Sequence, residues 1–368
     1  MKKIRVGING FGRIGRAIFR INELSEDMEV VVINDINPDI KNIAYLLQYD
    51  TTYGRLNKNV TCDDNSLIIE DKKIDVYHSK NILDVPWDDY NVDIVIDSSG
   101  VSSNLEAIKS DDVTNVKHFI ITNAAGGDVK TIIFGVNEDE FDPKEHRILS
   151  SSICDTISLS PLLKLIQGSH NIEGGFLTTL HPWLGYQNLL DGPSASWSQP
   201  GDIYSHYALG RSSINNLIPK STSAILAAEH VFPNLSQKIQ SFSYRVPTSI
   251  VSSAVLILQL DKEICPEDLK GRFDDFEKEQ KYHVIKNSEE PLTSMDYAQE
   301  DFSVIIDHRW TKVENKNLLK MVYWYDNEWG YSSRVVDLVV LVAEHYNYYA
   351  DIALDNSKEE KNYAGNTV

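Results

Sequence analysis

Cysteine is scarce in this chain: three residues among 368, at positions 62, 154 and 265. An odd, widely spaced set excludes a disulfide-built scaffold and fits reduced thiols in a cytoplasm. Long apolar runs are missing too, since none reaches the roughly 18 residues of a membrane-spanning helix. The chain enters a strand-like "MKKIRVGING" at once, so a secretory leader is not expected. Positive charge is the third deficit. Lys and Arg total 35 against 54 Asp and Glu, a net charge of −19. A field of that sign repels polyanions, which argues against nucleic acid or an anionic membrane as partner; a local basic pocket still accommodates a small anion. The ten histidines are scattered with no Cys/His pair at ligand spacing, so no metal is expected. What remains is 42% apolar and 24% charged, the composition of a globular chain long enough for two domains.

The first half carries the clearest pattern. "KKIRVGINGFGRIGRAIFRI" reads as an apolar strand, a glycine turn and a helix with Ile14, Ile18 and Phe19 on one face. Gly10, Gly12 and Gly15 give G-x-G-x-x-G, and a second strand "EVVVIND" ends in Asp35, about 20 residues past the last glycine. The first glycine serves the tight turn, the second the approach of backbone to a pyrophosphate, the third helix–strand packing. Asp35 is placed to accept ribose hydroxyls and to repel a 2′-phosphate, which selects NAD over NADP. Strands "VDIVIDSSG" and "VKHFIITNAAGG" end in small residues, making Ser99, Gly100 and Thr122 candidate cofactor neighbours. The pattern predicts a doubly wound parallel Rossmann sheet over residues 1–152. Residues 55–80 read as hairpins on its surface.

In the second half, "SSICDTISLSP" sets Cys154 at a helix start with Asp155 directly after it. Unpaired N–H groups at a helix N-terminus favour a thiolate, whereas the neighbouring anion raises a thiol's pKa. The strand "GGFLTTL" then delivers His181. Alone, each residue has an ordinary structural reading, Cys154 as a small buried side chain and His181 as a satisfied histidine. Beside a dinucleotide domain they suggest covalent aldehyde oxidation: the thiolate adds to a carbonyl, His181 manages the protons, and hydride leaves a thioester that an acceptor cleaves. Residues 191–217 form a polar loop long enough to suggest function. Strand patterns at 241–260 and 318–331, around an acidic helix-like stretch, predict an α+β catalytic domain over 153–331 with a largely antiparallel sheet. An amphipathic helix at 332–349 is expected to pack back on the first domain, with 351–368 a polar tail.

The segments "INGFGRIGR", "INDINPDIKNIAYLLQYDTTYGRL", "DGPS", "NLIPKSTSA", "YRVPT" and "WYDNEWGYSSRVVDL" resemble the glyceraldehyde-3-phosphate dehydrogenase family, in its order and over nearly the whole chain. The resemblance implies NAD as cofactor, a homotetramer, Cys154 as the thioester-forming nucleophile and His181 as its base. It also implies a cofactor loop that includes Phe11, Arg13 and Ile14. Asn34 and Asp35 would lie at the adenosine end, and Asn327 on the nicotinamide carboxamide with Tyr331 nearby. The 191–217 stretch resembles the family's S-shaped loop.

Departures cluster where substrate is expected. The family's serine before the cysteine is Ile153 here, and its Thr-Thr-Asn is Asp155, Thr156 and Ile157. "HPWLGYQ" puts Leu184 and Tyr186 where family members carry a threonine and often an aspartate, and with Trp183 they suggest a pocket with more apolar or stacking surface. Arg211, Thr222 and Arg245 are retained. Asp155 next to the sulfur would repel inorganic phosphate, the usual acceptor. Alternatively it only complements the helix dipole, worth about 0.3–1 kcal/mol. The leading expectation is therefore NAD-dependent oxidation of a phosphorylated or sugar-derived aldehyde, with water as acceptor. Ordinary phosphorylating glyceraldehyde-3-phosphate dehydrogenase is the alternative, and a non-catalytic NAD-binding scaffold the alternative of another class.

Overall fold

The computed structural model describes residues 3–111, 113–194 and 206–364. Two sheets organise it. The first has nine strands, in the order 130–131, 148–150, 118–121, 94–97, β1 (Ile4–Asn9), β2 (Met28–Asn34), 72–77, 66–69 and 60–62. All neighbours from the first edge to 72–77 run parallel. Helices α1 (Arg13–Ser25), α2 (Ile40–Gln48) and α3 (Ser102–Lys109) connect them. This is the expected doubly wound arrangement, with its ligand crevice at the carboxyl ends of the strands. Residues 55–80 differ from expectation: strand 72–77 joins β2 in parallel and the hairpins extend the sheet. Leu67 and Ile74, both 0% exposed, account for that, since surface hairpins would leave these side chains in water.

The second sheet has the order 218–220, 239–246, 172–182, 252–260, 318–325, 304–307 and 285–288, with 312–314 paired onto 318–325. Most of its pairings are antiparallel, and 172–182 runs parallel to 239–246. The acidic stretch is helix α6 (Pro266–Glu279), following the short α5 (Ala224–Ala228).

Helix α4 (Cys154–Gln167) packs in the largest hydrophobic cluster, which holds residues of both sheets. It is buried all round from Asp155 to Leu163, so "ISLSPLL" is a core segment whose serines go inward as well. The last helix, α7 (Trp329–Ala364), packs along α1. It starts three residues earlier than expected and continues through the segment read as a polar tail. The sequence "DIALDNSKEEKNYA" contains neither Gly nor Pro, so nothing in it stops a helix. Of the long 191–217 stretch, residues 195–205 lie outside the described residues; Tyr207–Gly210 forms a 3₁₀ turn. Among the described residues no helix is long and apolar enough to cross a membrane.

Because α4 carries the shared core, Leu162→Ala, at a position 0% exposed, is expected to cost about 2–5 kcal/mol in chemical denaturation. Leu24→Ala, at a position 77% exposed, should stay within about 0.5 kcal/mol of the parent.

Candidate active site

The glycine turn is built as its spacing suggests, each glycine for its own reason. Gly10 has φ +88°, and a Cβ there would lie 2.5 Å from the Ser99 backbone. A Cβ on Gly15 would lie 2.2 Å from the Gly10 carbonyl oxygen. Around a Cβ on Gly12 nothing lies within 4 Å. The first and third glycines therefore serve the fold, and the second leaves open space at the start of α1. No side chain caps that helix, so its first N–H groups remain available to an anion.

A cleft of about 380 Å³ opens beside this turn, lined by Gly10, Phe11, Gly12, Asn34, Asp35 and Ser99 among the expected residues. The carboxylate of Asp35 accepts from the backbone N–H of Phe11 (2.7 Å) and of Asn37 (2.8 Å). These bonds hold it at the cleft wall with acceptor capacity left over. The Asn34 amide is fully engaged with Asn9 and Ser79, so it shapes the wall rather than offering a free group. Thr122 does not line the cleft; it bonds the Asp97 carbonyl and ties two strand ends together. Gly100 and Ile14 also lie off the lining, Gly100 with φ +73° and Ile14 packed on the core.

Arg13 has other partners altogether. It pairs with Asp50 and with Glu328 (2.6 Å to the latter) and lies over the Tyr53 ring. Two carboxylates and an aromatic face draw the guanidinium away from the cleft. Arg16, one helical turn on, lines it instead, with a buried Nε that has no hydrogen-bond partner. Asn9, Lys80 and Asn104 line it too. Helical spacing from the glycine turn would have pointed to Arg16; nothing local pointed to Lys80.

At the second centre, Cys154 is the first residue of α4. Its Sγ lies 3.6 Å from His181 Nε2, and its thiol donates weakly to Asp155 Oδ1 at 3.7 Å. His181 Nδ1 lies 2.9 Å from the Pro182 carbonyl, an acceptor only, so the proton sits on Nδ1 and Nε2 presents its lone pair to the sulfur. Asp155 is buried and doubly held, accepting from Tyr325 Oη (2.7 Å) and Thr222 Oγ1 (3.1 Å). Arg245, opposite His181 in the sheet register, is buried and donates to the Pro182 carbonyl.

Electrostatics keep this pair neutral at rest. Burial, and then the charge of Asp155, push the Cys154 thiol well above its ordinary range; Arg245 offsets part of that. Burial, and then Arg245, push the His181 imidazole down. Lys220 is pushed down by its own burial and then by Arg245, and it interacts with both Asp155 and Cys154. The site is thus a thiol and a neutral imidazole rather than an ion pair. With Nε2 facing Sγ at 3.6 Å, the arrangement allows the thiol proton to pass to the imidazole.

The remaining candidates divide. Thr156 is fully buried and its hydroxyl donates to the Ala224 carbonyl, which removes it from substrate contact. Arg211 pairs with Asp191 on the exposed surface. Trp183, Leu184 and Tyr186 follow His181 and are half-buried. Asn327 is buried with an unpartnered Oδ1. Tyr331 donates to the Ser152 carbonyl (3.0 Å) and contacts the Ser151 hydroxyl (2.7 Å). That clamp holds Ser152 at φ +59°, an uncommon conformation for a residue with a side chain, just before the nucleophile. Lys220 and Tyr325 escaped the sequence reading.

Comparison with known proteins agrees with this geometry. Residues 4–105 match the family description "Glyceraldehyde 3-phosphate dehydrogenase, NAD binding domain", and residues 153–327 match the same family's "C-terminal domain". "Glyceraldehyde-3-phosphate dehydrogenase 1" of Bacillus cereus is 36% identical over 334 residues, 91% of this chain and 97% of that protein. The Geobacillus stearothermophilus enzyme of that name is 36% identical over 92% of this chain and 98% of its own length. The "cytosolic" one of Gracilaria gracilis is 36% identical over the same shares. The cofactor is NAD. The open position at Gly12, the unpartnered Arg16 Nε and the unpartnered Asn327 Oδ1 fit it, as room for a pyrophosphate, a cationic donor in the cleft and an acceptor for a carboxamide N–H.

Three outcomes test this description. Gly12→Ala should fold with parental stability yet bind NAD more weakly in calorimetric titration. Gly10→Ala should lose about 1–3 kcal/mol from its backbone conformation alone, and more from the clash. Asp155→Asn removes the charge that, after burial, raises the thiol pKa, so Cys154 alkylation by iodoacetamide at neutral pH should quicken by about tenfold per pKa unit recovered.

Proposed function

Because the chain belongs to the glyceraldehyde-3-phosphate dehydrogenase family, we propose that it oxidises a phosphorylated aldehyde, glyceraldehyde 3-phosphate first, through a thioester on Cys154. The observation that carries this reading is the 3.6 Å approach of His181 Nε2 to Cys154 Sγ at the start of α4. In the addition step the sulfur bonds the carbonyl carbon, and its proton passes to Nε2. The Pro182 carbonyl holds the imidazole in the required tautomer and sees it charged afterwards. NAD, when bound, accepts the hydride that leaves the same carbon. Arg245 and Lys220 supply positive charge beside the sulfur for the anionic end of the substrate. The relatives' names favour glyceraldehyde 3-phosphate as the aldehyde, and in this reading inorganic phosphate cleaves the thioester.

One observation favours a second reading of that last step. The Asp155 carboxylate lies 3.7 Å from Sγ, and the Thr222 hydroxyl, a natural donor to phosphate, is bonded to it. A fixed anion there disfavours a dianionic acceptor and suits a water that it can orient. Under this reading the product is a carboxylate.

NADH formation from glyceraldehyde 3-phosphate and NAD, with and without inorganic phosphate, separates the two. Phosphate-dependent turnover supports the first reading. Turnover indifferent to phosphate, with carboxylate formed, supports the second. No turnover with NAD binding intact removes this aldehyde as substrate. Cys154→Ala should lower the rate by roughly three orders of magnitude or more. Under the second reading, Asp155→Thr should raise phosphate-dependent turnover about tenfold, the effect of removing roughly 1.4 kcal/mol of repulsion.

A further inference from the structure

The donor set around Cys154 fits something beyond an aldehyde. We propose that Cys154 Sγ, Asp155 Oδ1 and His181 Nε2 form a site for a zinc-class divalent cation, which competes with the aldehyde for the sulfur. Sγ lies 3.6 Å from the imidazole nitrogen and 3.7 Å from the carboxylate oxygen, and one donor atom from each of the three residues falls within 4.8 Å of the others. Tetrahedral zinc, with bonds of about 2.3 Å to sulfur and about 2.0–2.1 Å to nitrogen or oxygen, sets such donors roughly 3.5 Å apart. The sulfur already stands at coordinating separation from each of the other two donors without a cation between them.

The groups behind the ligands point the same way. A metal-binding histidine normally donates its second ring N–H to a carbonyl or carboxylate, and a ligating carboxylate is itself hydrogen-bonded. His181 does the first through Pro182, and Asp155 does the second through Tyr325 and Thr222. These bonds leave Nε2 and a lone pair of Oδ1 available. Ligand chemistry selects the ion: a thiolate and an imidazole suit zinc, cobalt or copper and exclude magnesium and calcium.

Charge balances as well. Binding releases the Cys154 thiol proton to solvent and forms the metal–sulfur bond. Thiolate and carboxylate together then neutralise the dication. Arg245 and Lys220, the cations facing the site, oppose the ion before that proton leaves, so this is a reversible site rather than a structural one. Three protein ligands leave a fourth position for water. The metal–sulfur bond draws electron density from the sulfur, and the ion occupies the space from which a carbonyl carbon must approach it, so the occupied enzyme is inactive. Binding does not depend on the proposed dehydrogenase reaction; only the inhibition rests on it.

Titration of the full chain with Co²⁺ alone tests the site by its spectrum. The expected result is a sulfur-to-cobalt charge-transfer band with tetrahedral visible bands, saturating at one equivalent and displaced by Zn²⁺. Cys154→Ser should abolish the band, and Asp155→Asn should weaken binding by at least about tenfold, with NAD binding retained in both variants as proof of folding. A band that persists in Cys154→Ser places the metal on Cys62 or Cys265 and overturns the proposal. Absence of the band in the parent, or unchanged affinity in Asp155→Asn, overturns it equally. If the enzyme turns over an aldehyde, one equivalent of Zn²⁺ should stop it; full turnover with the site occupied overturns the competition. Failure of the dehydrogenase assay alone leaves the spectrum unaffected.

Discussion

A carboxylate buried beside a thiol is the constraint on which the second centre depends. Asp155 sits one residue into α4, and a charge removed from water persists only if polar partners replace it. Tyr325 and Thr222 are those partners, from the end of a strand in the second sheet and from the loop before α5. In satisfying Asp155 they fix the first turn of α4 against both elements, and with it the position of Cys154. The consequence is chemical. Burial first, and then the carboxylate that orders the helix start, hold the Cys154 thiol above its ordinary range, and His181 Nε2 is the base that faces it.

The run from Tyr325 to Tyr331 is the seam between the two sheets, and nearly every residue in it has a separate task. Tyr325 holds Asp155. Asp326, buried and with its acidity reduced by that burial, accepts the N–H groups of Glu328 and Trp329 at the start of α7, and the Tyr53 hydroxyl from the first half. Glu328 pairs with Arg13 at the start of α1. Tyr331 pins the strained Ser152 turn that feeds α4. The cofactor turn and the nucleophile are thus tied to one short segment, which leaves Asn327 between them with an unpartnered amide oxygen. Hydride transfer needs such rigidity, because the reacting carbon and the acceptor must stay in register.

Much of this was legible in the chain because it is local. The glycine spacing, the acidic residue after the second strand and the cysteine at a helix start are short-range patterns, and the structure builds each where the pattern indicated. Other features escaped because their causes are distant. Tyr325 meets Asp155 across 170 residues, and Lys220 is recognisable only once the end of strand 218–220 lies beside Cys154. Arg13 occupies a phosphate-like position in sequence, yet Asp50 and Glu328 claim it in space. Thr156 follows the reactive residues but turns its hydroxyl to Ala224. Adjacency in the chain says little about facing on a helix.

Cys154 rests as a thiol because burial, and then the field of Asp155, hold its proton in place. Ultraviolet thiolate absorbance measured across pH, as the difference between the parent and Cys154→Ser, reads that state directly. The account predicts no thiolate step from Cys154 through the neutral range. A step below about pH 7.5, as low-pKa catalytic thiols give, would contradict it and would mean that Arg245 and the helix terminus outweigh burial and the carboxylate together.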